Sequence, residues 1–302
     1  MALNEFSTVL KAREFIRRAN VTTIPAPLTA YLAEARATAR DDADMAACES
    51  GMCMPMPNGT FRISVNANDS VERRRFTVCH EIGHIVLGLK SDHKTQPWST
   101  GRPLTERLCD LFAAELLLPD HLFQPAAEDA PVGFAGIDGL AARFAASVTT
   151  TGSRYADSVT MPCAFVLSHE GKVIHAARSK QLRDAYAVIG RQADLPATSV
   201  SARSRAGKTC GREEIDAQDW FSDWEHGGVL LEEARHLPKW DRTLTLLWFE
   251  SGEVPTAHRS VRRESRWEVE GRDIPDRRES ESEDGLQELD GYLRFRGKSR
   301  RK

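Results

Sequence analysis

The chain has 302 residues, of which 41% are hydrophobic and 28% are charged, and its formal net charge is -3. This composition is typical of a globular protein that buries a core, and the small net charge provides no overall field to attract nucleic acid or acidic membranes. No apolar run approaches the roughly 18 residues of a membrane-spanning helix, and residues 1–20 carry scattered charges where a secretory signal would be apolar. We therefore expect a cytoplasmic protein whose six cysteines are reduced thiols.

The first third of the chain is predicted to contain helices and one strand. Apolar residues recur at helical spacing within residues 5–40, with a second helix beginning near Leu28. Apolar and polar residues alternate over 61–66, which is typical of a half-buried strand. As an edge strand it would be able to pair with an extended peptide, and the equal alternative is an ordinary strand of a sheet. A long apolar-periodic helix is predicted over 71–89, and another over 104–118 follows a polar loop.

The second half of the chain contains shorter elements. Residues 136–160 predict two short helices that are split at Thr149–Thr151 and have helix-turn-helix proportions. Residues 161–178 predict a β-hairpin, because two apolar runs flank a turn at His169–Gly171. Another strand is expected at Leu244–Phe249. The sequence therefore predicts an α+β protein.

The segment around residue 80 carries a metal-binding pattern. Residues four apart lie on one helical face, so His80 and His84 can bind a single ion from the same side. Glu81, rotated by roughly 100° from His80, lies beside such an ion and can take a proton from an attacking water. The pattern predicts a Zn²⁺ site with Glu81 as the general base. The alternative to a zinc site is a buried helix in which two histidines flank a glutamate by chance.

A catalytic zinc needs a third protein ligand and an open position. Glu106 is our first choice, because Asp110 shares its helical face and can hold a ligating histidine by a hydrogen bond. Glu115 is about half a turn out of phase with Glu106 and is predicted to point away. The runner-up is His93, and His121 is a further candidate. Glu106 and Asp110 would otherwise be solvated charges on a helix surface.

Two blocks of sequence, Arg75–His84 and Glu106–Pro119, resemble the ImmA/IrrE family of zinc metallopeptidases. The resemblance implies a gluzincin-like site, with His80, His84 and Glu106 on zinc and Glu81 as the general base. It also implies a protein substrate, since members of this family cleave helix-turn-helix transcriptional repressors and so release stress or mobile-element genes. The sequence departs from the family at Cys109, where a small residue such as alanine is common.

Combined with this resemblance, the pattern predicts five regions. A mainly helical, zincin-like metallopeptidase domain with a small sheet occupies 1–130, and a helix-turn-helix-like unit plus hairpin occupies 131–190. Residues 191–212 are predicted to be a linker, because they are rich in Ser, Arg, Ala and Gly. A small α/β module follows at 213–254. The charged segment 255–302 has few apolar residues and is expected to be a disordered tail.

Two functional classes remain open at this point. The first is an endopeptidase that cleaves a helix-turn-helix repressor, and the second is a non-catalytic, zinc-dependent regulator or DNA-binding protein. DNA binding is disfavoured, because the second predicted helix of 136–160 carries only Arg154 as a positive charge, and phosphate contacts require several. Cys79 and Cys109 flank the predicted ligands, and each is either a small apolar filler or a thiol near the metal.

Overall fold

The computed structural model describes residues 3–90, 103–208, 211–222, 224, 227–252 and 254. Over these residues the fold is α+β, as predicted, with ten α-helices and two small sheets. The contacts divide the described chain into two compact units: residues 3–131 with 135–154, and residues 132–134 with those from 155 onward. None of the described helices is long and apolar enough to cross a membrane. His93, most of the predicted loop before 104, and the predicted tail 255–302 lie outside the described residues.

The N-terminal part of the chain forms helices around a three-stranded sheet. The helix predicted from 71 ends at Leu87, because Gly88 adopts a left-handed conformation with φ of 69°. The elements, in order, are α1 (Glu5–Arg18), α2 (Leu28–Glu34), β1 (Ala37–Asp42), β2 (Gly51–Pro55), β3 (Phe61–Asn66), α3 (Val71–Leu87), α4 (Leu104–Leu117), α5 (Asp120–Glu128), α6 (Phe134–Phe144) and α7 (Val148–Ser158).

The first sheet has the strand order β1-β3-β2. Strand β1 runs parallel to β3, and β2 runs antiparallel to it. The prediction that the helical region extends to residue 40 is wrong, because 37–42 pairs with β3 and this tertiary pairing overrides the local helical preference. The position of 61–66 as a strand is confirmed. Of the two alternatives for this strand, the edge position is wrong and the ordinary sheet strand is observed, because β3 has a neighbour on each side. The edge strand that approaches α3 is β2.

The break between α6 and α7 lies at residues 145–147 rather than at the predicted Thr149–Thr151. Ala145 has a positive φ of 51°, which ends α6. The Ser147 hydroxyl then accepts a hydrogen bond from the Thr150 backbone N–H at 3.1 Å and so caps α7. The threonines therefore form the first turn of a helix instead of a connection.

The second unit is built on a five-stranded antiparallel sheet with the order β5-β4-β8-β7-β6. The hairpin predicted within 161–178 and the strands of the predicted C-terminal module lie in one sheet, because β4 pairs with β8 along its whole length. The elements are β4 (Cys163–His169), β5 (Lys172–Arg178), α8 (Lys180–Asp184), α9 (Val200–Arg205), β6 (Glu213–Asp216), α10 (Ala217–Trp220), β7 (Val229–Leu237) and β8 (Arg242–Trp248).

Helix α9 lies within the segment that the sequence predicts to be a linker. A fully buried carboxylate, Glu232 of β7, holds this helix against the sheet. Its Oε1 accepts from the Ser201 backbone N–H at 2.8 Å, and its Oε2 accepts from Trp220 Nε1 at 3.1 Å. Because these donors compensate the buried carboxylate, a segment of polar composition packs as part of the unit.

A buried ion-pair cluster joins the helices of the first unit. Arg154 of α7 contacts Glu115 of α4 at 2.6 Å and Asp120 of α5 at 3.3 Å. Arg13 of α1 lies 3.5 Å from Glu115 and 3.0 Å from Asp120. The side chains of Arg154 and Glu115 are only 8% and 1% exposed. Arg154, the single positive charge of the second helix predicted within 136–160, is therefore paired inside the protein, where it cannot reach a DNA phosphate.

We expect Arg154→Ala to lower the free energy of unfolding by about 3 kcal/mol, because it leaves the Glu115 carboxylate buried with only the half-exposed Arg13 nearby. Urea unfolding followed by circular dichroism measures this loss. The control is Arg18→Ala, which removes an exposed pair and should cost less than about 1 kcal/mol. Adding Glu115→Gln to Arg154→Ala should recover part of the lost unfolding free energy. Equal losses in Arg154→Ala and Arg18→Ala would contradict the prediction.

Candidate metal centre

Helices α3 and α4 bring three buried side chains together. His80 and His84 lie on α3 and Glu106 lies on α4, with exposed fractions of 5%, 4% and 3%. His80 Nε2 lies 3.1 Å from Glu106 Oε2 and 3.1 Å from His84 Nε2. His84 Nε2 lies 3.6 Å from Glu106 Oε1. Among the described residues, these three form a group whose ligand atoms lie within 4.8 Å of one another, close enough to hold one metal ion.

The other ring nitrogen of each histidine faces an oxygen acceptor. His80 Nδ1 lies 2.9 Å from Asp110 Oδ1, which is the contact that the helical phase of Asp110 predicts. His84 Nδ1 lies 3.2 Å from the Leu89 carbonyl oxygen, just beyond the left-handed Gly88. An acceptor beside Nδ1 keeps the proton on that nitrogen and leaves the lone pair on Nε2. When Nε2 carries no proton, as metal binding requires, each imidazole therefore directs a lone pair toward Glu106.

The donor set fits a small cation. Two imidazole lone pairs and a carboxylate repel one another at 3.1–3.6 Å unless a positive charge lies between them. In a tetrahedral zinc site with bonds of about 2.0–2.1 Å, neighbouring ligand atoms are separated by about 3.3 Å. The observed spacing is close to this value, so His80, His84 and Glu106 could hold such an ion without rearrangement.

The electrostatics of the cluster also favour positive charge beside a carboxylate. Burial lowers the pKa of His80, but its hydrogen bonds to Asp110 and Glu106 outweigh burial and raise the pKa to about 9. Burial opposes ionisation of Glu106, yet the two histidines hold its pKa well below the usual range. The Glu106 carboxylate therefore stays ionised inside the protein.

Glu81 follows His80 on α3 and is only 1% exposed. Strand β2 borders this part of the helix. A Cβ atom on Gly51 would lie 2.4 Å from Thr77 Cγ2, so the strand approaches α3 one turn before His80. Burial and the nearby Glu81 carboxylate raise the pKa of the Cys53 thiol to about 11. Strand β2 is not predicted from the sequence, because its residues 51–55 show no apolar-polar alternation.

The other candidate ligands among the described residues lie elsewhere. Glu115 is held by Arg154, and His121 Nε2 contacts the Val21 carbonyl oxygen at 3.2 Å. Cys79 is fully buried, and burial raises the pKa of its thiol to about 12, which supports its interpretation as an apolar filler.

Comparison with known proteins adds two findings. Residues 19–154 match a family model described as the IrrE N-terminal-like domain. A solved structure described as a Mycobacterium tuberculosis transcriptional regulator shares the fold, with a TM-score of 0.54 and 15% identity over 80% of this chain and 76% of that one. The comparison with curated proteins gave no match. The resemblance to the ImmA/IrrE family, which the sequence around α3 and α4 indicates, is thus confirmed over residues 19–154.

Proposed function

We propose that this chain is a zinc-dependent endopeptidase, in which His80, His84 and Glu106 bind Zn²⁺ and Glu81 is the general base. The observation that carries the proposal is that two imidazole Nε2 atoms and one carboxylate lie within 3.1–3.6 Å of one another. They lie in the interface between α3 and α4, which we call the seam. The match to the IrrE N-terminal-like domain supports it, because that family implies metallopeptidase activity.

Each residue has a separate role in this proposal. Zinc, when bound, supplies Lewis-acid chemistry that polarises the scissile carbonyl and makes a water more acidic. Asp110 and the Leu89 carbonyl fix the orientation of the two imidazoles by accepting hydrogen bonds from their Nδ1–H groups. The Glu81 carboxylate accepts the proton of the attacking water and passes it to the leaving amine.

The substrate is best placed along strand β2. The Met56 N–H donates to Thr60 O at 2.8 Å, and Ser50 O accepts from the Asn66 N–H at 2.9 Å. The backbone N–H and C=O groups of the even-numbered residues from 50 to 56 therefore point toward β3. In an antiparallel pair the intervening residues point the other way. The backbone of Gly51 and Cys53 therefore faces the outer side, where no described strand pairs with β2. An extended peptide that added to this edge would pass close to Glu81.

The proposed substrate is a helix-turn-helix transcriptional repressor. This specificity comes from the family resemblance. The structural neighbour that shares the fold is described as a transcriptional regulator, which fits a regulatory setting. Burial of Arg154 disfavours DNA as the partner of α7. We expect a few bonds to be cut in an exposed segment of the repressor, because pairing with one short strand selects extended chain.

The alternative function is a zinc-dependent regulator without catalysis. It requires the same metal ligands but gives Glu81 no role, because a structural zinc site needs no general base. The alternative therefore predicts that zinc binds and that no repressor is cut.

The first prediction from this site concerns metal content. Purified protein should bind about one zinc per chain, and His80→Ala, His84→Ala or Glu106→Gln should each bind far less, because each removes one of three proposed ligands. Elemental analysis after dialysis against a dilute zinc buffer measures this. His121→Ala is a matched control outside the cluster and should retain zinc. A wild-type chain that stays free of metal after reconstitution would overturn the proposal.

The second prediction separates the base from the ligands. Glu81→Gln keeps the size of the side chain but removes the proton acceptor, so zinc content should be unchanged while cleavage falls by about a hundredfold or more. The assay incubates the protein with the repressors encoded beside its gene and uses casein as an unfolded comparison. The repressor should be cut at one or a few bonds while casein stays largely intact. Zinc binding without cleavage of any such repressor would favour the non-catalytic alternative.

The third prediction tests strand β2. Cys53→Pro removes one outward N–H, and the loss of a single hydrogen bond should lower kcat/KM for a peptide substrate by about tenfold. Cys53→Ala is the matched control, because it removes the thiol and keeps the N–H. Zinc content should be the same in both variants. Equal activity of the two variants would show that substrates do not pair with this edge.

A further inference from the structure

Each of the two helices of the metal centre has a contact residue three positions after a proposed metal ligand. On α3, Gly83 lies three residues after His80 and precedes His84, which places it on the face of both histidines. On α4, Cys109 lies three residues after Glu106 and precedes Asp110. The point where Gly83 meets Cys109 is therefore part of the same seam as the proposed ligands.

Gly83 and Cys109 are in close contact through the backbone. A Cβ atom built on Gly83 would lie 3.3 Å from the Cα of Cys109 and 3.4 Å from both its Cβ and its carbonyl oxygen. Two of these three atoms belong to the α4 backbone, so a larger residue at 83 could not be accommodated by turning a flexible side chain. To make room for a Cβ atom at 83, the α4 backbone at Cys109 has to shift by a few tenths of an ångström relative to α3.

Such a movement is large on the scale of a metal site. Ligand atoms now lie 3.1 Å apart across the seam, between His80 and Glu106. Metal–ligand distances tolerate deviations of only about 0.2 Å. A shift of a few tenths of an ångström at Gly83 would carry Glu106 and Asp110 away from His80 together, because both carboxylates lie within one turn of Cys109.

We propose that Gly83 is a positioning residue for the metal centre: the absence of its side chain sets the separation of α3 and α4 at which His80, His84 and Glu106 can share one ion. This inference rests on the proposed function, since it assumes that these three residues bind zinc. It assigns Cys109 a steric role through its backbone and Cβ, and it gives the Cys109 sulfur no part in metal binding.

The test is Gly83→Ala, compared with Gly139→Ala in α6, where an added Cβ meets nothing within 4 Å. Alanine has a higher helix propensity than glycine, so local propensity alone would make both variants more stable than wild type. We expect Gly83→Ala to bind zinc about tenfold more weakly than wild type in a chelator competition, while Gly139→Ala is unchanged. Replacing zinc with Co²⁺ should show a visible absorption spectrum that is altered only in Gly83→Ala.

Two further variants separate spacing from other causes. Cys109→Ala removes the sulfur and keeps the Cβ, so it should bind zinc as wild type does. The double variant Gly83→Ala/Cys109→Gly removes one of the crowding atoms and should recover part of the lost affinity. This recovery also decides the case if Gly83→Ala alone fails to fold.

The outcomes distinguish this inference from the proposed function. Wild-type protein that binds no zinc would contradict the proposed function itself. Wild-type binding with equal affinity in Gly83→Ala would overturn only the positioning role. Weak binding by Cys109→Ala would assign the effect to the sulfur and would likewise overturn the inference, as would a double variant no better than Gly83→Ala.

Discussion

The first unit depends on an ionised carboxylate that is kept inside a helix seam. Glu106 is only 3% exposed, and the imidazoles of His80 and His84 are the groups that offset its charge. A buried carboxylate without such partners would cost several kcal/mol. The need to compensate Glu106 fixes how α4 faces α3, and this pairing is what creates a possible metal site.

Helix α4 carries a buried, charge-compensated carboxylate on each of two opposite faces. Glu115, about half a turn out of phase with Glu106, is also buried and is compensated by Arg154 and Arg13. On one face of α4 the Glu106 carboxylate is available to a metal ion, and on the other face the Glu115 carboxylate is paired with two arginines. This pairing ties α7 and α1 to α4. We infer that it gives the other face of α4 a rigid support, as precise ligand geometry requires.

The second unit buries a carboxylate in a different way. Glu232 accepts hydrogen bonds from neutral donors of Ser201 and Trp220, and within the part of the chain that the structure describes it belongs to no group that could hold a metal ion. Its role is to hold α9 on the sheet. The buried carboxylates of Glu106, Glu115 and Glu232 thus have different uses, which are set by whether their partners are imidazoles, guanidinium groups or neutral donors.

The sequence alone determined the elements that carry the chemistry. Helical spacing placed His80 and His84 on one face, and the phase of Glu106, Asp110 and Glu115 along α4 predicted which carboxylates turn toward α3. These features follow from local periodicity. Periodicity also gave strand 61–66 at its observed bounds.

Only the tertiary structure decided the features that depend on distant parts of the chain. The joining of β4 to β8 and the burial of Arg154 against Glu115 link segments that are far apart in sequence. The edge position of β2 likewise depends on β1, which pairs with the other side of β3. The close approach of Gly83 to Cys109 is of the same kind, because a glycine in a helix gives no local sign of which backbone it will meet. Such contacts are set by packing between elements, and no pattern within a single element encodes them.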